Sequence, residues 1–266
     1  MMTQIIDVVK GEYVKDIAAT GKRIDGRQPV EFRDIRVETG VLKNAEGSAL
    51  AHFGDTKVLA GVKLDLVTPF PDRPDEGTIS FNSEFSTLAH PEFESGPPNE
   101  DSIELARVVD RGIRSAEVLN LKEFGALGAS ASTEQTKKVM GLYVDLYPLD
   151  HNGNLIDAAA LAAMAAIATA TVPKLEDGKL VRGEGSKMRL QRKATTCSFE
   201  FIANQVFLDA TDEEEAASLG RVTIGVTDDG LLCSGQKSGR AGFSREKLLE
   251  LAGVALEKGS ELFKKF

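Results

Sequence analysis

Apolar residues recur near helical spacing over residues 4–18, at Ile5, Ile6, Val9, Tyr13 and Ile17, which predicts an amphipathic helix. After a polar loop, GKRIDGRQPVE, the period changes. The stretches RDIRVETGVL, ALAHF and KVLAGVKLDLV read as strands, separated by the turn signals NAEGS and GDT. The Pro-rich connection TPFPDRPDEG leads to TISFNSEFS, another strand. A second Pro-containing loop, HPEFESGPPNED, leads into a predicted helix of about 16–20 residues from Asp101. KVMGLYVDLYPLD reads as a buried strand and HNGN as a turn. LIDAAALAAMAAIATATV reads as a helix of small apolar residues. PKLEDGK is expected to be a loop and an internal boundary. Strands follow at ATTCSFEFIA, QVFLDA and RVTIGVTDDGLLCSG, then a last helix from about Ser244. Strands and helices come in blocks, which predicts an α+β fold of mixed β-sheets with packed helices. No short-period repeat or low-complexity segment interrupts it.

Composition narrows the function classes. The 266 residues are 42% hydrophobic and 27% charged, enough for a real core. No apolar run reaches the ~18 residues of a membrane span. The opening MMTQIIDVVKGEYVKDI lacks the basic and apolar regions of a signal peptide, so a cytoplasmic protein is expected. Cys197 and Cys233 lack metal-ligand spacing and are expected to be reduced core thiols. His52, His90 and His151 lie far apart in sequence, so no metal site is expected. The net charge of −9 argues against a general nucleic-acid binder, because phosphate neutralisation favours basic surfaces. Any nucleic-acid contact must come from a local basic feature or from a ring of several chains.

Five stretches could carry chemistry. The small-residue helix has Asp157 in its first turn, where a carboxylate suits the helix dipole and repels an anionic ligand. GLLCSGQKSG and GEGSK lack the spacing of a phosphate-cradling loop and are expected to be turns. In DSIELARVVDRGIRSAEV, Arg107, Arg111 and Arg114 stand at i, i+4 and i+7, within a ~60° stripe, opposite Leu105, Val109, Ile113 and Ala116. That stripe is either a solvated face with ion pairs or a row that tracks a nucleic-acid backbone. LDATDEEEAASLG holds Asp209, Asp212, Glu213, Glu214 and Glu215. It reads as the acidic first turn of an exposed helix, with Thr211 or Asp212 as N-cap, because neighbouring carboxylates on a turn splay rather than converge on an ion.

The segment KRIDGRQPVEFRDIRVETGVLKNAEGSALAHFGDTKVLAGV (Lys22 to Val62) resembles the opening of ribonuclease PH domains: Arg23, Asp25, Gly26 and Arg27, the turn Gly47 to Ala49, and the strand GDTKVLAGV. SIELARVVDRGIRSAE and VDLYPLDHNGNLIDAAALAAMAAI are similar to the non-catalytic ring subunit of archaeal exosomes. The resemblance implies a ribonuclease PH-like fold, with an N-terminal helix (1–21), an N-terminal part (22–172) and a C-terminal part (173–266) packed as one unit. Catalytic members of the family are phosphorolytic 3′→5′ exoribonucleases. They hold phosphate with a Gly-Ser/Thr-Arg turn before the small-residue helix; here that place reads Leu155, Ile156, Asp157. They also place two aspartates six positions apart; here those places read Glu215 and Arg221. The resemblance therefore implies a catalytically inactive chain with no catalytic residue, metal or cofactor of its own. It would pair with a catalytic paralogue in a hexameric ring of three heterodimers, carry RNA-binding cap proteins, and touch single-stranded RNA. Phosphate and magnesium would belong to the partner's site. Arg107 and Arg111 match the family's RNA-contact positions, with Arg114 on the same face.

Overall fold

The computed structural model describes residues 2–132 and 137–266, with side chains from Lys10 onward. In chain order the elements are α1 (Met2–Ala19), β1 (Ile35–Thr39), β2 (Gly47–Phe53), β3 (Thr56–Val67), β4 (Thr78–Ser83), α2 (Glu100–Ser115), α3 (Leu121–Ala126), β5 (Val139–Asp150) and α4 (Leu155–Ala168), then β6 (Thr171–Glu176), β7 (Lys179–Lys187), β8 (Ala194–Ile202), β9 (Gln205–Leu208), α5 (Asp212–Ala217), β10 (Gly220–Thr227), β11 (Leu232–Gly239) and α6 (Arg245–Leu262). The expected α+β class holds.

Alternation in β3 buries Thr56, Val58, Ala60, Val62 and Leu64 on one face, as period-two patterning requires. This strand sits at the centre of a five-stranded sheet of order β1-β2-β3-β5-β4, antiparallel except for the β4–β5 pair. A second, four-stranded sheet has the order β11-β10-β8-β9. Helices α2 and α4 lie between the two sheets, and α6 covers the far side of β8 and β10. The middle layer explains the composition of α4. Ala158 to Ile167 are buried all round the helix, and only small side chains let two sheets approach it. A β-carbon on Gly47 of β2 would overlap the Ala166 carbonyl oxygen, so this strand and helix are in direct backbone contact.

Four local expectations are corrected. In α1, Ile5, Ile6 and Val9 lie outside the residues whose side chains are described. Tyr13 is exposed, and Val14 and Ala18 are the buried contacts, so the apolar face is turned by one position. PKLEDGK is not a loop. Asp177 and Gly178, both at positive φ, form the two-residue turn of the β6–β7 hairpin, which the Asp-Gly pair signals in sequence. GEGSK lies in β7, and Leu232 to Gly239 of GLLCSGQKSG form β11 paired with β10, so both are strands and not turns. Cys197 is a buried thiol, pushed well above its usual pKa by burial, but Cys233 is only half-buried.

Candidate nucleic-acid interface and the neighbouring acidic cleft

Helix α2 begins where Asn99 caps it, its side-chain oxygen accepting from Ser102 N–H at 2.9 Å. Glu100 and Asp101 occupy the first turn and Arg114 the last, each matching the helix dipole. The apolar side, including Leu105, Val109 and Ile113, packs into the middle layer. Arg107, Arg111 and Arg114 all lie on the exposed side, as their spacing predicts. Two are tethered within the helix. Arg107 donates twice to Glu104, both at 2.6 Å, and Arg114 donates to Asp110 at 2.6 and 3.2 Å and to the Ile79 carbonyl at 3.1 Å. The Glu104 carboxyl is held below its usual range by the hydrogen bond from Arg107. Arg111 makes no hydrogen bond or ion pair with the described residues. Exposed pairs of this kind contribute only tenths of a kcal/mol, so a phosphate oxygen could displace either carboxylate at little loss.

Along the N-terminal flank of α2, beside Glu104, lies a cleft lined by Phe93, Glu104, His151, Glu215 and Arg221. Glu215 and Arg221 come together here, Arg221 Nη1 reaching Glu215 Oε1 at 3.3 Å and Glu200 Oε1 at 3.4 Å. Glu215 also accepts from Asn154 N–H at 2.8 Å. Burial pushes Glu200 up to about 7, with Arg221 opposing. The result is a cation held between two carboxylates. Of the acids in this cleft, Glu215 is engaged with Arg221 and Glu104 with Arg107.

Asp157 stands in the first turn of α4, as the sequence predicts, but it is fully buried, and the helix start has no side-chain cap. The Asp157 oxygens accept from Thr196 Oγ1 (2.7 Å), Ser198 N–H and Oγ (both 2.8 Å) and Asn154 Nδ2 (3.0 Å), tying the helix to β8. Burial raises its pKa to about 6, although these four donors pull it down. A carboxylate sealed in this way leaves no anion site at the helix start.

The acidic run is also more than an exposed turn. Thr211 is the N-cap and forms a capping box with Glu214. Glu214, 2% exposed, receives two hydrogen bonds from buried Arg23, one of them 2.9 Å long. Asp209, fully buried, is bonded by Arg33 at 2.7 Å and Arg27 at 3.1 Å. Burial opposes its ionisation, but the Arg33 bonds outweigh that and hold its pKa below the usual carboxylate value. The arginines of the Lys22 to Val62 stretch thus anchor the chain's start to the second sheet. Arg23, Arg27 and Arg33, all between α1 and β1, needed anionic partners, and the acidic run supplies them. Neither stretch, read by itself in sequence, reveals the other.

His90 and His151, far apart in sequence, have ring centroids 5.1 Å apart. Both Nε2 atoms face Asp212, at 3.5 and 3.7 Å, and Nδ1 of each accepts a backbone N–H. With Phe93 stacked on His151, they pin the loop before α2. Among the described residues no group of three such side chains is arranged to hold a metal ion, and no helix is long and apolar enough to cross a membrane.

Models of the two domains of the 3′ exoribonuclease family match residues 31–173 (domain 1) and 194–258 (domain 2). The exosome complex component Rrp42 of Methanothermobacter thermautotrophicus is 40% identical over 262 residues, covering 97% of this chain and 94% of the relative. The Rrp42 component of Thermococcus kodakarensis is 36% identical over 267 residues, covering 98% and 96%. A chain of the Archaeoglobus fulgidus exosome with RNA bound to the active site superposes with a TM-score of 0.88 at 36% identity, covering 98% of this chain and 99% of that one. An archaeal exosome core chain gives 0.85 at 36%, covering 99% and 100%. Rice Rrp46, at 19% identity and a TM-score of 0.67, shares the fold alone.

Proposed function

The chain belongs to the 3′ exoribonuclease family of ribonuclease PH domains, and on that premise we propose that it is a non-catalytic ring subunit of an exosome core. Its near-full-length likeness to archaeal Rrp42 components and to exosome core chains supports the ring assignment. The observation that carries the inactive reading is Arg221, held between Glu200 and Glu215 where catalytic members of the family keep an aspartate. Buried Asp157 in place of the phosphate-binding arginine supports it further. General acid or base work needs a titrating group within hydrogen-bond reach of the reacting atoms, and these groups are engaged with one another.

In this reading the chain pairs with a catalytic paralogue, three such pairs close a six-membered ring, and RNA-binding cap proteins sit on that ring in the cytoplasm. Arg107, Arg111 and Arg114 lead single-stranded RNA toward the partner's site, where phosphate and magnesium act. The acidic net charge is compatible with this, because only the RNA path must be basic. The purified chain should show no phosphate-dependent shortening of an oligoribonucleotide, whereas co-assembly with the catalytic paralogue should release nucleoside diphosphates. Phosphorolysis by the chain alone, persisting after removal of contaminating nuclease, would overturn the inactive reading. A pure scaffold without RNA contact is the competing reading, favoured by the tethering of Arg107 and Arg114 to acids of their own helix.

A further inference from the structure

Strand β4 closes one end of its sheet and pairs with β5 on one side only. Main-chain groups of successive residues point alternately to the two sides of a strand. Glu84 N–H, just past the strand, donates to the Leu146 carbonyl of β5, so even-numbered residues face the sheet. Odd-numbered residues face away: Gly77 N–H donates to the Leu121 carbonyl at 2.7 Å, and the Ile79 carbonyl accepts from Arg114. By the same alternation Phe81 and Ser83 turn N–H and C=O groups to the free edge, where no loop or side chain among the described residues bonds to them. An unpaired edge is an unsatisfied hydrogen-bonding surface.

This edge opens onto a cleft of about 340 Å³ against α2. Phe81, Ile103 and Ala106 give it apolar walls, Arg107 and Arg114 stand at its rim, and Asp110 lies between them. Ile103 is 57% exposed, an apolar side chain on the arginine face of the helix. Ser83, in the inner wall, is buried with its hydroxyl unpartnered among the described residues. A second cleft continues past Arg114 toward Gln191.

The geometry points to the α2–β4 cleft as a nucleobase subsite for single-stranded RNA. It rests on the reading of the arginine row as an RNA path and extends it from phosphates to a base. The arginines span about 10 Å along the helix and hold backbone phosphates. One base between them turns inward, lies against Phe81 and Ile103, and bonds to the main chain of Phe81 or Ser83. The edge offers both a donor and an acceptor, so any base finds a match and the subsite discriminates weakly. A peptide strand is a poorer fit. Among the described residues only two face outward free, short for a stable ladder.

The test uses the full chain co-assembled with the catalytic paralogue and oligoribonucleotides carrying one abasic nucleotide at each position in turn. One position should weaken binding about fivefold or more. That penalty should vanish in Ile103→Ser, which removes a wall at an exposed site, and in Ala106→Leu, which fills the cleft. If Ala106→Leu disturbs folding, Ile103→Ser alone decides. An abasic penalty that persists unchanged in Ile103→Ser belongs to the partner's site and overturns the proposal, as does the absence of a penalty at every position. Exchange-protected Phe81 and Ser83 amides in the RNA-free ring would mean that another chain covers the edge, which also overturns it. Failure here is separable from failure of the RNA path. If Arg107→Glu with Arg111→Glu weakens RNA binding but the abasic scan is flat, only the base subsite falls. If neither changes binding, the RNA path falls as well.

Discussion

Glu214 is sealed against Arg23, whereas Glu213 beside it meets only Lys10 in a half-exposed ion pair of 3.3 Å. Glu214→Ala leaves a buried guanidinium uncompensated and should destabilise the chain by about 3–5 kcal/mol in urea unfolding. Glu213→Ala should change stability by only a few tenths of a kcal/mol. Equal effects of the two would refute this division. Asp157 supplies a pH test. Its folded pKa of about 6 lies above its ordinary 3.8, so its contribution to stability is fully present below about pH 4 and is lost as pH rises through about 6. Asp157→Asn cannot titrate. The stability difference, wild type minus variant, should therefore fall across that window by up to about 3 kcal/mol and then level off. A difference independent of pH would show that the carboxyl is not shifted. Asp209 works in the opposite sense. Its depressed pKa means that its contribution is present above about pH 4 and is lost on further acidification.

On α2, two arginines are borrowed by neighbouring acids and Arg111 has no partner among the described residues, so the helix alone does not decide between a solvated face and an RNA path. Arg107→Glu with Arg111→Glu should weaken RNA binding by the assembled ring similarly across sequences, with a salt slope smaller by roughly 0.7 for each phosphate no longer neutralised. Size-exclusion mass must first show an intact ring. Unchanged affinity and decay rate in such a ring would make the chain a structural spacer. Helix α4 makes a different prediction. Because Gly47 touches the Ala166 carbonyl, Gly47→Ala must push β2 off the middle layer. It should destabilise by about 1–3 kcal/mol, the range for overpacked cores, read as a lower unfolding midpoint with an unchanged denaturant slope.

For the whole molecule, the two sheets and the helices between them form one continuous core, with a small satellite cluster where α1 packs on Ala217 and Phe207. Arg23, Arg27 and Arg33 tie the segment before β1 to Asp209 and Glu214, far along the chain. The protein's charge is arranged on this frame. Buried Asp209 and Glu214 are paired with arginines and buried Asp157 with neutral donors, while the α2 row remains at the surface.

Much of this was legible in the linear pattern. Period-two alternation in β3 and the spacing of Leu105, Val109 and Ile113 identified the strand and the buried helix side, because burial of one face leaves a periodic trace. That Asp157 stands in the first turn of the small-residue helix and that Arg107, Arg111 and Arg114 share one helix face were equally plain, since spacing alone places them. Partners distant in sequence were not. The pairing of Arg23 with Glu214 and the meeting of His90 and His151 arise only from tertiary packing, and Arg221 meets Glu200 only because β10 pairs with β8 in that register. Nor does a strand's own pattern reveal whether it ends a sheet, and so whether the β4 edge stays open. Periodicity records which face is buried; tertiary packing alone selects the group that a buried charge or a free strand edge will meet.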